Sequence, residues 1–445
     1  MSESDPRLAN RILLGLCVGV VAGIATLLLG AHFPTLLSGA RAVSIAVFDP
    51  FGQVFLRMLF FVVIPLVFSS LATGVVQLGR LGDLGPLAGR TFGLFIFNMA
   101  IAVALGLVMM NLISPGDQLD AATKARLIAE YGSQAAQHIQ NQTSSTGITL
   151  AALVDMFMPR NLFGAFVGSN RNALGEVLPL ILFAILLGAA GTTLEADKRA
   201  RLQAALEMIT ELMTKIVHFA LKLAPFAVPA MIYSVVVKIG FDILAALAVF
   251  VVGCTAMLLL HLFGTMSLWL KLWTDRGPLD FFRQMRTVLL TAFTTSSSAA
   301  TLPAALATAQ GPLGLRPSVA SFVLPLGTTM NMSGTALYEG CVVLFVAQVF
   351  GVDLSLAQQL TLLLLAVLSA VAVAAIPGGS LPLIAGLLVT FGIPPEGIGI
   401  VLGVDRILDM TRTMVNVGSD VVTATVVDAR LRAGEERAAK RAASA

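Results

Sequence analysis

The chain has 445 residues, of which 57% are hydrophobic and 12% are charged, and its mean hydropathy is +0.90. Soluble globular domains carry about 25% charged residues, so this composition excludes an ordinary soluble domain and indicates a polytopic membrane protein. The formal net charge of +3 gives no indication of a nucleic-acid partner.

Apolar segments of membrane-spanning length fill most of the first 270 residues. A helix needs about 20 apolar residues to cross a bilayer. On that basis we place spans at 11–33, 48–77, 91–114, 172–193, 214–238 and 242–270. The first segment has no convincing cleavage site, so it is predicted to be a retained span and not a removed signal peptide.

Lysine and arginine are distributed unevenly between these spans. They concentrate at the N-terminus, around Arg80 and Arg90, in 198–215, in 271–286 and in the tail 429–445. Cytoplasmic segments of membrane proteins are enriched in these residues. The sequence therefore predicts a multi-pass protein of the cell (inner or plasma) membrane with both termini in the cytoplasm, and the polar segment 115–147 outside.

Four apolar blocks follow, near 288–310, 317–350, 358–394 and 396–427. The first and third are interrupted by TTSSSAATLPAA and AAIPGGSLPL. Because the chain must cross an even number of times between two cytoplasmic stretches, each polar cluster is interpreted as the tip of a re-entrant hairpin. Paired interrupted segments of this kind indicate a transporter's central site. The alternative is that Ser, Gly and Pro mark two ordinary loops.

The last block contains DRILDMTRTMVNVGSD at residues 405–420. On a helix, its polar residues share an arc of roughly a quarter turn. They are Asp405, Asp409, Arg412, Thr413, Asn416 and Asp420. Charged residues inside a membrane are functional candidates by default; the alternative is an internal ion pair between Asp409 and Arg412 that only holds the helix in place.

A second polar stretch, PLGTTMNMSGTALYEG, lies within another apolar block. Its Gly-Thr-Thr and Ser-Gly-Thr runs predict a helix that unwinds and restarts. Unwound carbonyls with Asn and Asp side chains suit a hard cation such as Na⁺, and the N-termini of half-helices suit a carboxylate. A site with arginine, aspartate and backbone amides favours a zwitterion that carries an extra acidic group.

Four motifs together, SSSAATLP, NMSGTALYEG, AAIPGG and DRILDMTRTMVNVGSD, resemble the glutamate transporter family, the dicarboxylate/amino acid:cation symporters, over nearly the whole chain. The resemblance implies a secondary active symporter and not an enzyme. It implies an all-α polytopic fold of eight transmembrane helices plus two re-entrant helical hairpins. The hairpin tips would lie at 294–303, on the cytoplasmic side, and at 374–382, on the external side.

The resemblance also implies a homotrimer in the lipid bilayer, whose mobile transport domain slides against a static scaffold in an elevator motion. The scaffold helices would come mainly from 1–80 and 148–240. The transport domain would come mainly from 88–114 and 242–428.

By position in the motifs, Arg412 would pair with the side-chain carboxylate of the substrate and Asp409 with its amino group. Further hydrogen bonds would come from the side chains of Thr335, Thr413 and Asn416. The hairpin tips would offer backbone groups to the α-carboxylate at Ser297, Ser298 and Ile376. Aspartate or glutamate is the implied substrate.

For coupling, the resemblance implies one sodium site at Gly327, Asn331, Asn416 and Asp420. A second would be built mainly from backbone around Thr329 and 370–373. The family's third site has an aspartate where this chain has Ser333, and hydroxyl-bearing ligands where it has Phe95, Asn98 and Met99. We therefore expect that the third ion is not carried.

Glu339 offers a possible replacement, because the family's proton-coupled animal members carry a glutamate there. A carboxyl group buried without a fixed partner favours its protonated form. The alternative is that Glu339 hydrogen-bonds locally beside Tyr338 and never titrates. Coupling to Na⁺, to H⁺ or to both stays open, and no cofactor is expected.

Rival functions follow from the same residues. A proton-coupled, Na⁺-independent transporter of glutamate, aspartate or C4-dicarboxylates is one, and an anion channel is another. An intramembrane aspartyl protease is disfavoured, because Arg412 shares the helix face with Asp409 and Asp420. The serine run lacks a histidine placed to activate it.

Overall fold

The structure is a computed structural model that describes residues 6–81, 86–120, 124–125, 158, 160–167, 177–240, 242–373 and 378–443. All regular elements in these ranges are helices. In chain order the α-helices are α1 Pro6–His32, α2 Pro34–Val43, α3 Asp49–Phe60, α4 Val63–Leu81, α5 Pro86–Ile113, α6 Leu162–Val167, α7 Val177–Thr192, α8 Ala196–Ile239, α9 Asp242–Leu260, α10 Met266–Trp273, α11 Pro278–Thr295, α12 Ser298–Gln310, α13 Pro317–Met330, α14 Ser333–Val349, α15 Leu356–Ala372, α16 Leu381–Thr390 and α17 Ile398–Ala443.

Several helical stretches have the length and apolar composition of membrane spans. Among the described residues they are Leu14–His32, Gly89–Gln118, Ile243–Trp273 and Pro317–Val349. A fifth is α8, if its two parts, Ala196–Val217 and Lys222–Lys238, count as one span despite a 51° bend. These helices confirm the all-helical membrane class, while the count of eight spans stays a prediction.

Prolines explain two departures from the predicted spans. Within the predicted span 48–77, the chain breaks between α3 and α4 at residues 61–62. Pro65 clashes with the carbonyl four residues earlier, at position 61, and lacks the N–H that would bond to it. Pro225 has the same relation to residue 221, where α8 bends.

Glycines let α1 lie directly on α8. Gly15, Gly19 and Gly23 recur every four residues, and a Cβ at Gly19 would come within 2.7 Å of the Pro229 carbonyl oxygen. Small residues at this spacing bring membrane helices into close contact.

The central helix is α14, in which every residue is buried. It packs chiefly against α5, α15 and α17. The predicted break before it is present: α13 ends at Met330, and Asn331 and Met332 leave helical geometry before α14 begins at Ser333.

The first serine-rich interruption lies at the junction of two helices. Between α11 and α12 the chain turns at Ser296, which has a left-handed φ of 50°, and at Ser297. In the second interruption, residues 374–377 lie outside the described residues, and residues 378–380 form a turn before α16.

Candidate functional site

A cavity lies where four of these segments converge, with about 260 Å³ of empty space when the part open to solvent is included. Eleven residues line it: Ser296, Ser298, Met332, Thr335, Val373, Gly379, Ser380, Asp409, Arg412, Thr413 and Asn416. They come from the α11–α12 turn, the α13–α14 break, the segment between α15 and α16, and α17. The structure thus brings together most of the residues that the sequence assigns to substrate. Ile376 lies outside the described residues.

The α11–α12 turn presents the start of a helix to the cavity. Ser297 caps α12, because its hydroxyl accepts a hydrogen bond from the Ala300 N–H at 3.2 Å. Ser298 begins the helix and lines the cavity, whereas Ser297 does not line it. Helix N-termini carry unsatisfied N–H groups and a partial positive charge, so this end attracts a carboxylate.

The polar face of α17 reaches the cavity because α14 approaches it closely. A Cβ at Gly334 would stand 2.5 Å from the Arg412 carbonyl oxygen, so only glycine allows this packing. The Thr413 hydroxyl is directed back to the Asp409 carbonyl oxygen at 2.8 Å. Asp409, Arg412, Thr413 and Asn416 are all buried, as expected for one helix face turned inward.

Arg412 is surrounded by two carboxylates and an aromatic ring. Its Nη2 lies 2.7 Å from Asp409 Oδ1, and its Nη1 lies 3.2 Å from Asp405 Oδ1. The guanidinium carbon is 4.5 Å from the centre of the Tyr338 ring, within range of a cation–π contact. The internal Asp409–Arg412 ion pair is therefore present, and the same pair lines the cavity.

Two members of this cluster were not among the predicted binding residues. Tyr338 donates its hydroxyl hydrogen to Asp405 Oδ1 at 2.8 Å, so both residues support the guanidinium. Helical periodicity had placed Asp405 on the polar face. No local pattern indicates that the Tyr338 ring stacks on Arg412.

The Asn416 side chain caps the N-terminus of α14. Its Oδ1 accepts hydrogen bonds from the N–H groups of Gly334 at 2.8 Å and Thr335 at 3.3 Å. Its Nδ2 donates to the Thr335 hydroxyl at 3.0 Å. The side chain thus satisfies the otherwise unpaired N–H groups of a helix N-terminus inside the protein.

Of the residues predicted to hold the first sodium ion, Asn416 lines the cavity, whereas Gly327, Asn331 and Asp420 do not. Asn331 Nδ2 donates to Asp420 Oδ1 at 2.8 Å. A Cβ at Gly327 would be 2.4 Å from the same oxygen, so the carboxylate packs directly on that glycine. Asn416 lies one turn earlier on α17 and accepts a hydrogen bond from Ser419 through its carbonyl oxygen at 2.9 Å. Thr329 is exposed, and its hydroxyl donates to the Leu326 carbonyl oxygen within its own helix.

The position predicted to lack a cation is a neutral cluster. The hydroxyl oxygens of Ser333 and Ser419 are 3.0 Å apart, and Asn98 Nδ2 donates to Asn331 Oδ1 at 2.9 Å. Phe95 and Met99 are buried beside Asn98 on α5.

Glu339 is fully buried on α14. Neither carboxyl oxygen makes a hydrogen bond within the described part of the chain. The Ser369 hydroxyl of α15 lies close to this carboxyl group, and it too makes no hydrogen bond among the described residues. The neighbouring Tyr338 hydroxyl bonds to Asp405 and not to Glu339.

Comparison with known proteins shows which family model and which transport proteins this chain is similar to. Residues 8–430 match the model of the sodium:dicarboxylate symporter family. The chain is 32% identical over 423 residues to the proton/sodium-glutamate symport protein of Bacillus subtilis (strain 168), covering 94% of this chain and 92% of that protein. It is 30% identical over 423 residues to the proton/glutamate-aspartate symporter of Escherichia coli (strain K12), with the same coverage. It is 29% identical over 380 residues to the C4-dicarboxylate transport protein of Bacillus subtilis (strain 168), covering 85% and 86%.

Proposed function

This chain belongs to the sodium:dicarboxylate symporter family, and on that premise we propose that it takes up glutamate or aspartate in symport with Na⁺, H⁺ or both. Relatives named as glutamate or glutamate-aspartate symporters support this substrate class. Membership in a transporter family also argues against an enzyme.

The observation that carries the proposal is the charge arrangement at the cavity wall. Arg412 contacts two carboxylates, that of Asp409, which also lines the cavity, and that of Asp405, which does not. An acidic amino acid has both an ammonium group and a side-chain carboxylate. It can therefore form an ion pair with each of the two residues, Asp409 and Arg412. Asp409 would then bind the ammonium, and Arg412 would bind the side-chain carboxylate while Asp405 stays beside it. Arginine suits this role because its guanidinium binds carboxylates in a bidentate geometry.

The rest of the cavity suits the α-carboxylate and the substrate backbone. The start of α12 at Ser298 offers N–H groups, and Thr335, Thr413 and Asn416 offer hydroxyl and amide groups. Ser297 and Ile376, at the two hairpin tips, are proposed to complete the carboxylate site through their backbone.

A C4-dicarboxylate is the second candidate substrate, and the related C4-dicarboxylate transport proteins favour it. Such a substrate has no ammonium group to neutralise Asp409. The buried Asp409 therefore favours the amino acid, and its replacement by asparagine distinguishes the two.

Na⁺ coupling is proposed at Asp420, with carbonyl oxygens of Gly327, Asn331 and Asn416 as further ligands. A second ion would bind backbone around Thr329 and 370–373. The third ion of the family is proposed to be absent, because Ser333, Ser419 and Asn98 supply no carboxylate.

Proton coupling is proposed at Glu339, which is buried without a hydrogen-bond partner among the described residues. A carboxyl group in this setting is stable when neutral and costly when charged, so its protonation can follow the step in the transport cycle that exposes it.

The assembly is proposed to be a homotrimer in the cell (inner or plasma) membrane with both termini cytoplasmic. The scaffold (1–80 and 148–240) would stay fixed while the transport domain (88–114 and 242–428) moves as an elevator. An anion channel is the alternative of a different class.

Uptake of labelled glutamate and aspartate into proteoliposomes tests the proposal. One set has an inward Na⁺ gradient, and the other has an inward proton gradient without Na⁺. We expect accumulation above the external concentration in at least one set. Equilibration without accumulation in both would overturn symport and favour the channel.

A further inference from the structure

Asn98 forms one end of a buried hydrogen-bonded chain from α5 to α17. Its Nδ2 donates to Asn331 Oδ1 at 2.9 Å, and Asn331 Nδ2 donates to Asp420 Oδ1 at 2.8 Å. Asn98 and Asn331 are fully buried and Asp420 is 2% exposed. The chain joins three segments that are distant in sequence: α5, the α13–α14 break and α17.

Asp420 determines which amide atoms donate and which accept along this series of hydrogen bonds. An ionised carboxylate only accepts hydrogen bonds, so Asn331 must turn Nδ2 toward Asp420 and Oδ1 toward Asn98. Asn98 must then present Nδ2, because two amide oxygens would repel each other. The consequence appears at the far end, where Asn98 Oδ1 is buried without a hydrogen-bond partner among the described residues.

We propose that Asn98 is a positioning residue for cation binding at Asp420 and acts through Asn331. With its amide held by Asn98, Asn331 keeps a hydrogen bond on Oδ1 and fixes the carboxylate against Gly327, where a Cβ would come within 2.4 Å. A carboxylate that is already fixed loses little conformational freedom when a cation binds, so the affinity is higher. The inference rests on the proposed Na⁺ coupling at this site.

The cluster also shows what Asn331 would do without Asn98. Asn331 Nδ2 already lies 3.3 Å from the Ser419 hydroxyl oxygen, which is a second acceptor for the same N–H groups. An Asn331 amide released from Asn98 can rotate and shift its donation toward Ser419. Asp420 would then lose the contact that orients it.

The test measures how uptake by the full-length protein in proteoliposomes depends on Na⁺ concentration. Asn98→Leu removes the donor and keeps the side chain branched at Cγ, with a larger volume. We expect the half-saturating Na⁺ concentration to rise roughly three- to tenfold, the range of one lost hydrogen bond. The maximal rate at saturating Na⁺ should stay near that of the wild type. Asn98→Ala removes the same donor with less bulk and should shift the Na⁺ dependence in the same direction.

Asn111→Leu is the matched control. Asn111 lies on the same helix, and its Nδ2 donates to Gln359 Oε1 at 2.7 Å. The same substitution therefore removes a hydrogen bond between two helices at a place away from Asp420. Its Na⁺ dependence should equal that of the wild type. In an Asn331→Ala background, Asn98→Leu should add no further change, and an additive effect would contradict action through Asn331.

Two negative outcomes are distinguishable. Wild-type uptake that depends on Na⁺, with unchanged half-saturation in both Asn98 variants, overturns the role of Asn98 and leaves the proposed function intact. Wild-type uptake that ignores Na⁺ overturns the sodium coupling, and the role of Asn98 with it.

Discussion

The Arg412 guanidinium stacks on the Tyr338 ring at 4.5 Å, and the Tyr338 hydroxyl donates to Asp405 at 2.8 Å. Asp405 also contacts Arg412, at 3.2 Å, so the three side chains form a closed cluster. Each member limits the freedom of the others, which holds the guanidinium in place while Asp409 can exchange partners.

Removing the Tyr338 hydroxyl tests this cluster. In Tyr338→Phe the ring remains and Asp405 loses a donor, so we expect the KM for the acidic amino acid to rise roughly two- to tenfold. Tyr338→Leu also loses the cation–π contact and should raise KM further. Tyr233→Phe is the control, since Tyr233 bonds to Thr26 far from Arg412 in sequence and outside the cluster. Equal KM values for all variants would refute the supporting role of Tyr338.

The sequence predicted the α17 residues of this site well and the contribution of α14 poorly. Asp409, Arg412, Thr413 and Asn416 were found because helical periodicity alone puts them on one face. Tyr338 was missed because its stacking depends on how α14 crosses α17, which no spacing along the chain encodes. Asn98 was recognised as unusual, but its partner Asn331 is 233 positions away and only the fold brings them together.

Span lengths show the same limit. Composition indicated a polytopic helical protein, and the break before Ser333 was predicted from its Gly, Ser and Thr residues. The interruption at residues 61–62 was missed, because the residues around it are apolar without a break in the pattern and Pro65 acts on a carbonyl four residues back. Local hydropathy does not report such backbone effects.

Asp409→Asn should separate amino acid from dicarboxylate recognition. The neutral amide cannot balance a substrate ammonium, so we expect KM for aspartate to rise at least about tenfold, as for a lost charged hydrogen bond. Inhibition by succinate should persist or strengthen, because that ligand has two carboxylates and no ammonium. Inhibition of labelled glutamate uptake by aspartate and by succinate measures the two affinities. An unchanged ratio of these affinities in Asp409→Asn would exclude Asp409 as the ammonium partner.

Gly327→Ala should disturb cation binding. The new Cβ would lie 2.4 Å from Asp420 Oδ1, so the carboxylate must move. We expect the half-saturating Na⁺ concentration to rise about tenfold or more, since misplacing one ligand costs a metal site 10- to 100-fold. Gly93→Ala is the matched control on α5, because nothing lies within 4 Å of its Cβ. A Na⁺ titration identical to that of the wild type would count against Asp420 as a ligand.

Arg316 links the start of α13 to the C-terminal half of α17 through two ion pairs. Its Nε lies 2.6 Å from Asp428 Oδ1 and its Nη1 lies 2.7 Å from Glu435 Oε1, and these hydrogen bonds raise the pKa of Arg316 above its ordinary value. Asp428 is 3% exposed, so Arg316→Met leaves a buried carboxylate whose one remaining cationic partner among the described residues is Arg432. We expect the free energy of unfolding to fall by about 1–3 kcal/mol, which is measured as a lower Tm in detergent.

Glu435→Gln provides the comparison for this ion pair. Glu435 is 67% exposed at its side chain, and exposed pairs contribute about 0–1 kcal/mol. Its Tm should therefore stay near that of the wild type. Equal losses in the Arg316 and Glu435 variants would show that burial of Asp428 is not the source of the stabilisation.

Glu339→Gln tests proton coupling. The amide has the shape of the protonated carboxyl but cannot release a proton, so uptake driven by a proton gradient without Na⁺ should fall to background. Uptake driven by Na⁺ should persist, because Glu339 makes no hydrogen bond among the described residues that its replacement would break. Glu211→Gln is the control, since Glu211 pairs with Lys215 at 2.7 Å on the exposed face of α8. Proton-driven uptake that survives in Glu339→Gln would assign the proton to another group. Loss of both modes would instead show that the carboxyl is needed for the fold or for the substrate site, because a proton carrier alone has no effect on transport driven by Na⁺.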